Sequence, residues 1–207
     1  MAAAIKGMKT KSPMRASKVS RKTKETDIQI ELNLDGSGKS QISTSIAFLD
    51  HMLTLLSVHG LFDLRISARG DTEVDFHHTV EDIGICLGKA IREALGEKIA
   101  LFRYGSAVIP MDESLAEVHV DLSGRPTLVY QVPFSRRKIG HFDTELIQEF
   151  LQALVNHGGM TLHARVLYGR NGHHMVEALF KALGWALRRA VGIDPRRPGV
   201  PSTKGKL

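Results

Sequence analysis

Polar and apolar residues alternate through Asp27-Ile28-Gln29-Ile30-Glu31-Leu32-Asn33-Leu34, the two-residue period of a strand with one buried face. Asp35-Gly36-Ser37-Gly38 supplies a turn, and alternation resumes over 41–45. Between 46 and 58 the apolar positions Ile46, Leu49, Leu53 and Leu56 take helical spacing. A strand follows over 61–68, with a turn at Arg69-Gly70-Asp71. A helix over 79–95 then carries Val80, Ile83, Cys86, Leu87, Ala90, Ile91 and Ala94 and stops at Gly96. The order repeats as strand 116–122, turn Gly124-Arg125-Pro126 and strand 127–132. The next helix has Asp143 as its N-cap residue and runs through Val155, ending in a break at His157-Gly158-Gly159. Strand 161–168 and a helix over 175–191, closed by Gly192 and Pro195, complete the half. Each half reads strand, strand, helix, strand, helix, with room for further short strands.

The halves share more than their order. His77-His78-Thr79-Val80-Glu81 is answered 96 positions later by His173-His174-Met175-Val176-Glu177. His59-Gly60 and His157-Gly158, 98 apart, each end the first helix of their half, and this register pairs His51 with Glu149. The pattern predicts an α+β fold made of an internally duplicated pair of similar modules, with helices packed against mostly antiparallel four-stranded sheets. The expected divisions are a basic disordered tail at 1–22, modules at 23–113 and 114–195, and a Gly/Pro-rich C-terminal arm at 196–207.

Composition adds little to this picture except at the N-terminus. The chain is 43% hydrophobic and 24% charged, ordinary for a globular protein, and no apolar run approaches a membrane span. Its single cysteine, Cys86, excludes an intrachain disulfide and suits a reducing compartment. The net charge of +6 belongs to the tail: residues 1–24 hold eight Lys or Arg and no acid, leaving 20 cations against 22 acids elsewhere. A nearly neutral body with few aromatic residues argues against nucleic-acid binding. The tail lacks the apolar core of a secretory signal. A cytoplasmic location is expected, or a plastid where the source is a plant or alga.

The paired motifs carry the chemistry. Residues four apart on a helix share a face, whereas neighbours diverge by about 100°. His77 with Glu81 can therefore grip one ion while His78 serves another, and His173, Glu177 and His174 repeat the arrangement. With His51 and Glu149 added from the partner helices, the sets become His51, His78, His173 and Glu177, and His77, Glu81, Glu149 and His174. Such thiolate-free sets suit Mn²⁺, Fe²⁺, Co²⁺ or Zn²⁺. His59, His119, His141, His157 and His163, taken singly, read as structural or exposed. A hydrolase with two metal ions would use the same ligands to activate water.

The chain closely resembles imidazoleglycerol-phosphate dehydratase, the hydro-lyase family of histidine biosynthesis, over residues 21–207. The resemblance rests on Phe48-Leu49-Asp50-His51-Met52-Leu53, Phe76-His77-His78-Thr79-Val80-Glu81-Asp82, Asp121-Leu122-Ser123-Gly124-Arg125-Pro126, His173-His174-Met175-Val176-Glu177-Ala178 and Pro201-Ser202-Thr203-Lys204-Gly205. It implies dehydration of D-erythro-imidazoleglycerol phosphate to imidazole acetol phosphate, two Mn²⁺ per active site, and a homo-oligomer of 24 subunits with sites between neighbours. It departs at Glu149, where some relatives carry His.

The reaction needs the substrate imidazole, bound to metal, as an electron sink and a group that moves the C2 proton. By resemblance Glu25 lies at the substrate and is the first acid/base candidate. Glu81 and Glu177 would combine ligation with proton transfer, and Asp112 is a weaker candidate. Arg103 and Arg125, with Ser202, Thr203 and Lys204 of the arm, are the phosphate candidates. Lys181, on the helix of His173, joins them, and His59 completes the substrate-contact set with the histidines and Glu81. The arm is expected to order over bound substrate.

Overall fold

The computed structural model describes residues 15–207. Most of the expected basic tail lies outside them. The first module runs β1 (Ala16–Lys22), β2 (Thr26–Asn33), β3 (Ser40–Ser43), α1 (Ala47–Gly60), β4 (Asp63–Gly70) and α2 (His77–Leu95). The second runs β5 (Tyr104–Met111), β6 (Ser114–Asp121), β7 (Thr127–Gln131), a small hairpin of β8 (Lys138–Ile139) and β9 (Phe142–Asp143), then α3 (Leu146–Gly158), β10 (Thr161–Tyr168) and α4 (Gly172–Ala190). The sheets have equivalent orders, β1-β2-β4-β3 and β5-β6-β10-β7, each with two antiparallel pairings and one parallel. The α+β duplication is therefore present in the topology.

Two edge strands and one cap differ from the pattern reading. Ala16–Lys22, placed in the disordered tail, is β1, paired along its length with β2. Its inward row is Ser17, Val19 and Arg21, with one apolar residue in three. Polar anchors replace the missing hydrophobic signal: Ser17 Oγ donates to the Ala90 carbonyl at 2.8 Å, and Arg21 Nε to buried Asp82 Oδ1 at 2.8 Å. β5 is interrupted in sequence by Gly105 and Pro110, the latter tolerated on an edge strand. Its hairpin with β6 moves the module boundary ahead of Tyr104, rather than between 113 and 114. Asp143 does not cap α3: it pairs with Lys138 in the β8–β9 hairpin, and the helix starts at Leu146.

The helices lie between the sheets. α2 packs on β1 and β2, α4 on β5 and β6, and across the modules α2 meets α3 while α1 meets α4. Ile83, Leu87, Phe150, Leu154, Val176, Leu183 and their neighbours form one continuous core. Cys86 is buried there, and burial pushes its thiol up to about 11, a packing role rather than a reactive one.

The two interhelical crossings are copies of one another. A Cβ on Gly88 would lie 2.6 Å from the Leu154 carbonyl and 2.8 Å from Gly158 N; on Gly184 it would lie 2.9 Å from the Leu56 carbonyl and 3.0 Å from Gly60 N. Backbone touches backbone in both, so neither neighbour can yield cheaply. Gly184→Ala is expected to lower stability by about 1–3 kcal/mol, read as a lower urea midpoint. Alanine is the better helix former by about 1 kcal/mol, so a neutral or stabilising result would deny that the crossing is this tight.

Candidate active site

The crossing positions the candidate chemistry. Contacts advance in the same direction along α1 and α4: His51 meets Glu177, and further on Leu56 and Gly60 meet Gly184. The helices are thus parallel, and His51, one turn into α1, stands beside the first turns of α4. His173 and Glu177 are one turn apart on α4. His173 Nε2 lies 3.3 Å and His51 Nε2 3.6 Å from Glu177 Oε2. One ligand atom from each of the three falls within 4.8 Å of the other two, the only such group among the described residues. Phe48 walls the group, edge-on to His173 at 5.3 Å and packed on Phe142 at 5.1 Å.

Glu177 is buried, with 8% exposure. Burial alone would push its carboxyl up; Lys181 Nζ, 2.8 Å from Oε1, together with His51 and His173, holds it below its ordinary value. His59 lies on the same side: burial and Lys181 lower it, against the pull of Glu177. Lys181, read from the sequence as a phosphate candidate, is bonded here to the candidate ligand Glu177.

The remaining metal candidates do not join this group within one chain. His78 turns Nδ1 to Asp71 Oδ2 at 3.0 Å, and that bond raises it. His174 turns Nδ1 to Glu113 Oε2 at 2.7 Å and is raised likewise. The bond to His174, with backbone N–H groups of Asn171 and Arg170, holds Glu113 far below the usual carboxylate range. Glu149, His77 and Glu81 occupy the duplicated positions of His51, His173 and Glu177, but their ligand atoms do not converge to 4.8 Å. Two carboxylates stand where the first group has one, and like charges separate when nothing neutralises them. Glu25 is exposed in the β1–β2 turn. Its carbonyl accepts from Asp71 N at 3.1 Å, and its carboxylate contributes to raising His78. Asp112, in the β5–β6 turn, lies 3.8 Å from His174 Nε2.

The phosphate candidates lie elsewhere. Arg103, held at φ 71°, forks onto Asp121 with Nε and Nη2 at 2.6 and 3.1 Å and donates from Nη1 to the Pro201 carbonyl at 2.9 Å. Most of its donors are thus occupied. Arg125, with a side chain 69% exposed, opens with Lys204, Lys98, Arg92 and Lys206 onto a cleft of about 600 Å³. Ser202 does not line the cleft; its Oγ accepts from Lys204 N at 3.2 Å, shaping the turn that also contains Thr203. The arm packs on the body: Ala100 N donates to the Gly199 carbonyl at 2.9 Å and Pro201 is buried. A second cleft, about 710 Å³, opens at the start of α4 between Glu113, Arg136, Lys138, Arg170, His173 and His174. A further groove, about 840 Å³, crosses the outer face of the first sheet near Lys18, Glu31 and Arg65 and contains none of the candidates.

Asp71 and Glu113 are the polar partners that pattern reading did not single out. Both lie in turns, where polar residues are common for backbone reasons unrelated to chemistry. The available signal was position for Asp71, seven residues before His78, whereas the Glu113 turn meets the start of α4 only after folding. Among the described residues no helix is long and apolar enough to cross a membrane.

A family model for imidazoleglycerol-phosphate dehydratase matches residues 44–187. The enzyme of that name from Geobacter metallireducens is 58% identical over 193 residues, covering 93% of this chain and 99% of its own. That of Clostridium botulinum is 60% identical over 190 residues, covering 92% and 97%. Among solved structures, imidazoleglycerol-phosphate dehydratase from Staphylococcus aureus superposes with a TM-score of 0.79 at 41% identity, over 86% of this chain and 99% of the other. The Pyrococcus furiosus protein gives 0.80 at 42%, over 91% and 100%.

Proposed function

We propose that this chain, which belongs to the imidazoleglycerol-phosphate dehydratase family, removes water from D-erythro-imidazoleglycerol phosphate to give imidazole acetol phosphate in histidine biosynthesis. The observation that carries the reading from family to site is the convergence of His51, His173 and Glu177 from two parallel helices. Two imidazoles and a carboxylate suit a divalent first-row ion, Mn²⁺ by preference where six ligands are wanted. The residues that would hold the ions are His51, His78, His173 and Glu177 for one, and His77, Glu81, Glu149 and His174 for the other. Bound there, the ions would supply orientation of the substrate imidazole and Lewis-acid withdrawal of electrons from it.

The chain's own groups then have defined tasks. Glu25, exposed beside His78, takes the proton from C2 of the glycerol chain. The hydroxyl on C3 departs with a proton as water, and the resulting enol relaxes to the ketone. Glu81 and Glu177 share ligation with proton movement, and Lys181 keeps Glu177 ionised. Arg125 and Lys204, with Arg103 anchoring the arm, hold the phosphate. Phe48 and Phe142 keep water from one side of the imidazoles.

Two observations support sites shared between subunits. Arg103 N bonds the Ala190 carbonyl at 2.9 Å, at the far end of α4 from His173. At 1.5 Å per residue the helix separates them by about 26 Å, much longer than a three-carbon substrate. His78 and His174 also stay apart from the His51 group. Arg103, Arg125 and Lys204 can hold the phosphate of a substrate whose ring sits at these histidines only when they come from a neighbouring subunit, as in a homo-oligomer of 24. Protein stripped by chelator and returned to Mn²⁺ is expected to recover turnover of imidazoleglycerol phosphate. Metal-loaded protein that cleaves esters but leaves this substrate intact would instead favour a hydrolase.

A further inference from the structure

We infer that Asp71 and Glu113 are positioning residues of the two ion sites, holding Nδ1 of His78 and His174 so that Nε2 is the nitrogen offered to a metal. The inference rests on the ligand sets proposed above. Its evidence is that the same arrangement occurs twice by different routes. In the first module the carboxylate comes from the turn after β4, at 3.0 Å from His78 Nδ1. In the second it comes from the β5–β6 hairpin, at 2.7 Å from His174 Nδ1. A carboxylate can only accept, so Nδ1 carries the proton, and in the neutral ring Nε2 then keeps its lone pair. An imidazole so oriented loses little freedom on binding an ion and is more basic toward it.

Glu113 is itself locked. Its Oε1 accepts from Arg170 N at 3.0 Å and Asn171 N at 2.7 Å, leaving Oε2 for His174. Asp71 is placed by its backbone N–H on the Glu25 carbonyl at 3.1 Å. The different routes have a consequence for the reaction. The β1–β2 turn of the first module corresponds to the β5–β6 turn of the second, so Glu25 and Glu113 stand at equivalent hairpins. Asp71 takes over the orienting task in the first module, and the hairpin carboxylate Glu25 is left to face substrate.

The test uses full-length assembled protein and Mn²⁺ alone as probe, counting free ion by electron paramagnetic resonance. Asp71→Asn and Glu113→Gln are close in shape, but each can turn an amide N–H to Nδ1. That move puts the proton on Nε2 and blocks ligation. Each variant is expected to weaken one of the two Mn²⁺ per subunit about 10–100-fold and leave the other unchanged, with the urea midpoint retained. Asp71→Glu, which restores an acceptor, should recover much of the loss. Two ions bound with wild-type affinity in both variants would overturn the positioning role while leaving the dehydratase reading intact. Equal weakening of both ions together with a lower urea midpoint would assign the carboxylates a structural role and overturn it as well. Wild-type protein that turns over substrate without binding Mn²⁺ would overturn both the role and the ion sites it serves.

Discussion

Glu177→Gln is expected to reduce kcat by about 1000-fold, equivalent to ~4 kcal/mol of transition-state stabilisation. The change keeps the side chain's shape and removes its charge. That charge is the centre of the candidate site, 3.3 Å from His173, 3.6 Å from His51 and 2.8 Å from Lys181. An amide binds a divalent ion less strongly and cannot carry a proton, so ligation and proton movement are lost together. The half-buried Lys181 ammonium would also lose its partner and compete with the ion by repulsion. Steady-state kinetics at saturating Mn²⁺ and substrate separate this from weak metal binding. Full kcat under those conditions would move Glu177 out of the chemistry and leave it as packing around Lys181.

Deleting residues 201–207 is expected to raise KM by about 100-fold, or ~2.7 kcal/mol, with a much smaller change in kcat. The deletion removes Ser202, Thr203, Lys204 and Lys206, and it takes away the Pro201 carbonyl that accepts from Arg103. A phosphate remote from the reacting carbons is gripped alike in ground state and transition state, so losing its contacts affects binding rather than turnover. An unchanged KM would show that Lys204 and Lys206, which line the 600 Å³ cleft, do not meet substrate. A fall in kcat alone would place the arm in a later step, such as product release.

What the amino-acid pattern reveals here depends on which faces are apolar. α2 and α4 each turn a broad row of Val, Ile, Leu and Ala to the core, so the helical period is plain, and β2, β4, β6 and β10 are plain for the same reason. β1 is held by Ser17 and Arg21, whose role depends on the Ala90 carbonyl and Asp82 far along the chain. β5 needs Gly105 because a Cβ there would lie 1.8 Å from the Ala186 carbonyl, and the same glycine breaks its strand signature. The site follows this division. His51, His173 and Glu177 are recoverable from helix geometry plus duplication, because a four-residue offset fixes a face. His78 and His174 are equally visible, but their direction depends on Asp71 and Glu113, which reach them only through turn geometry. The bidentate hold of Asp121 on Arg103 likewise cannot be read from an Arg beside a tyrosine and a glycine.

The matched glycine crossings have an evolutionary meaning. Two identical subunits meeting about a twofold axis must carry the same residue at equivalent places, so every change at their interface is made twice. Joining the copies in one polypeptide keeps the interface and lifts that constraint. Gly88 and Gly184 are alike because both crossings leave no room for a Cβ. Elsewhere the copies could specialise: imidazole at 51 against carboxylate at 149, and an orienting acid after one strand against one in the opposite hairpin. An unfused ancestor could have offered only equivalent half-sites. The tethered form can give its two halves unlike surroundings, as suits a reaction whose substrate has no symmetry of its own.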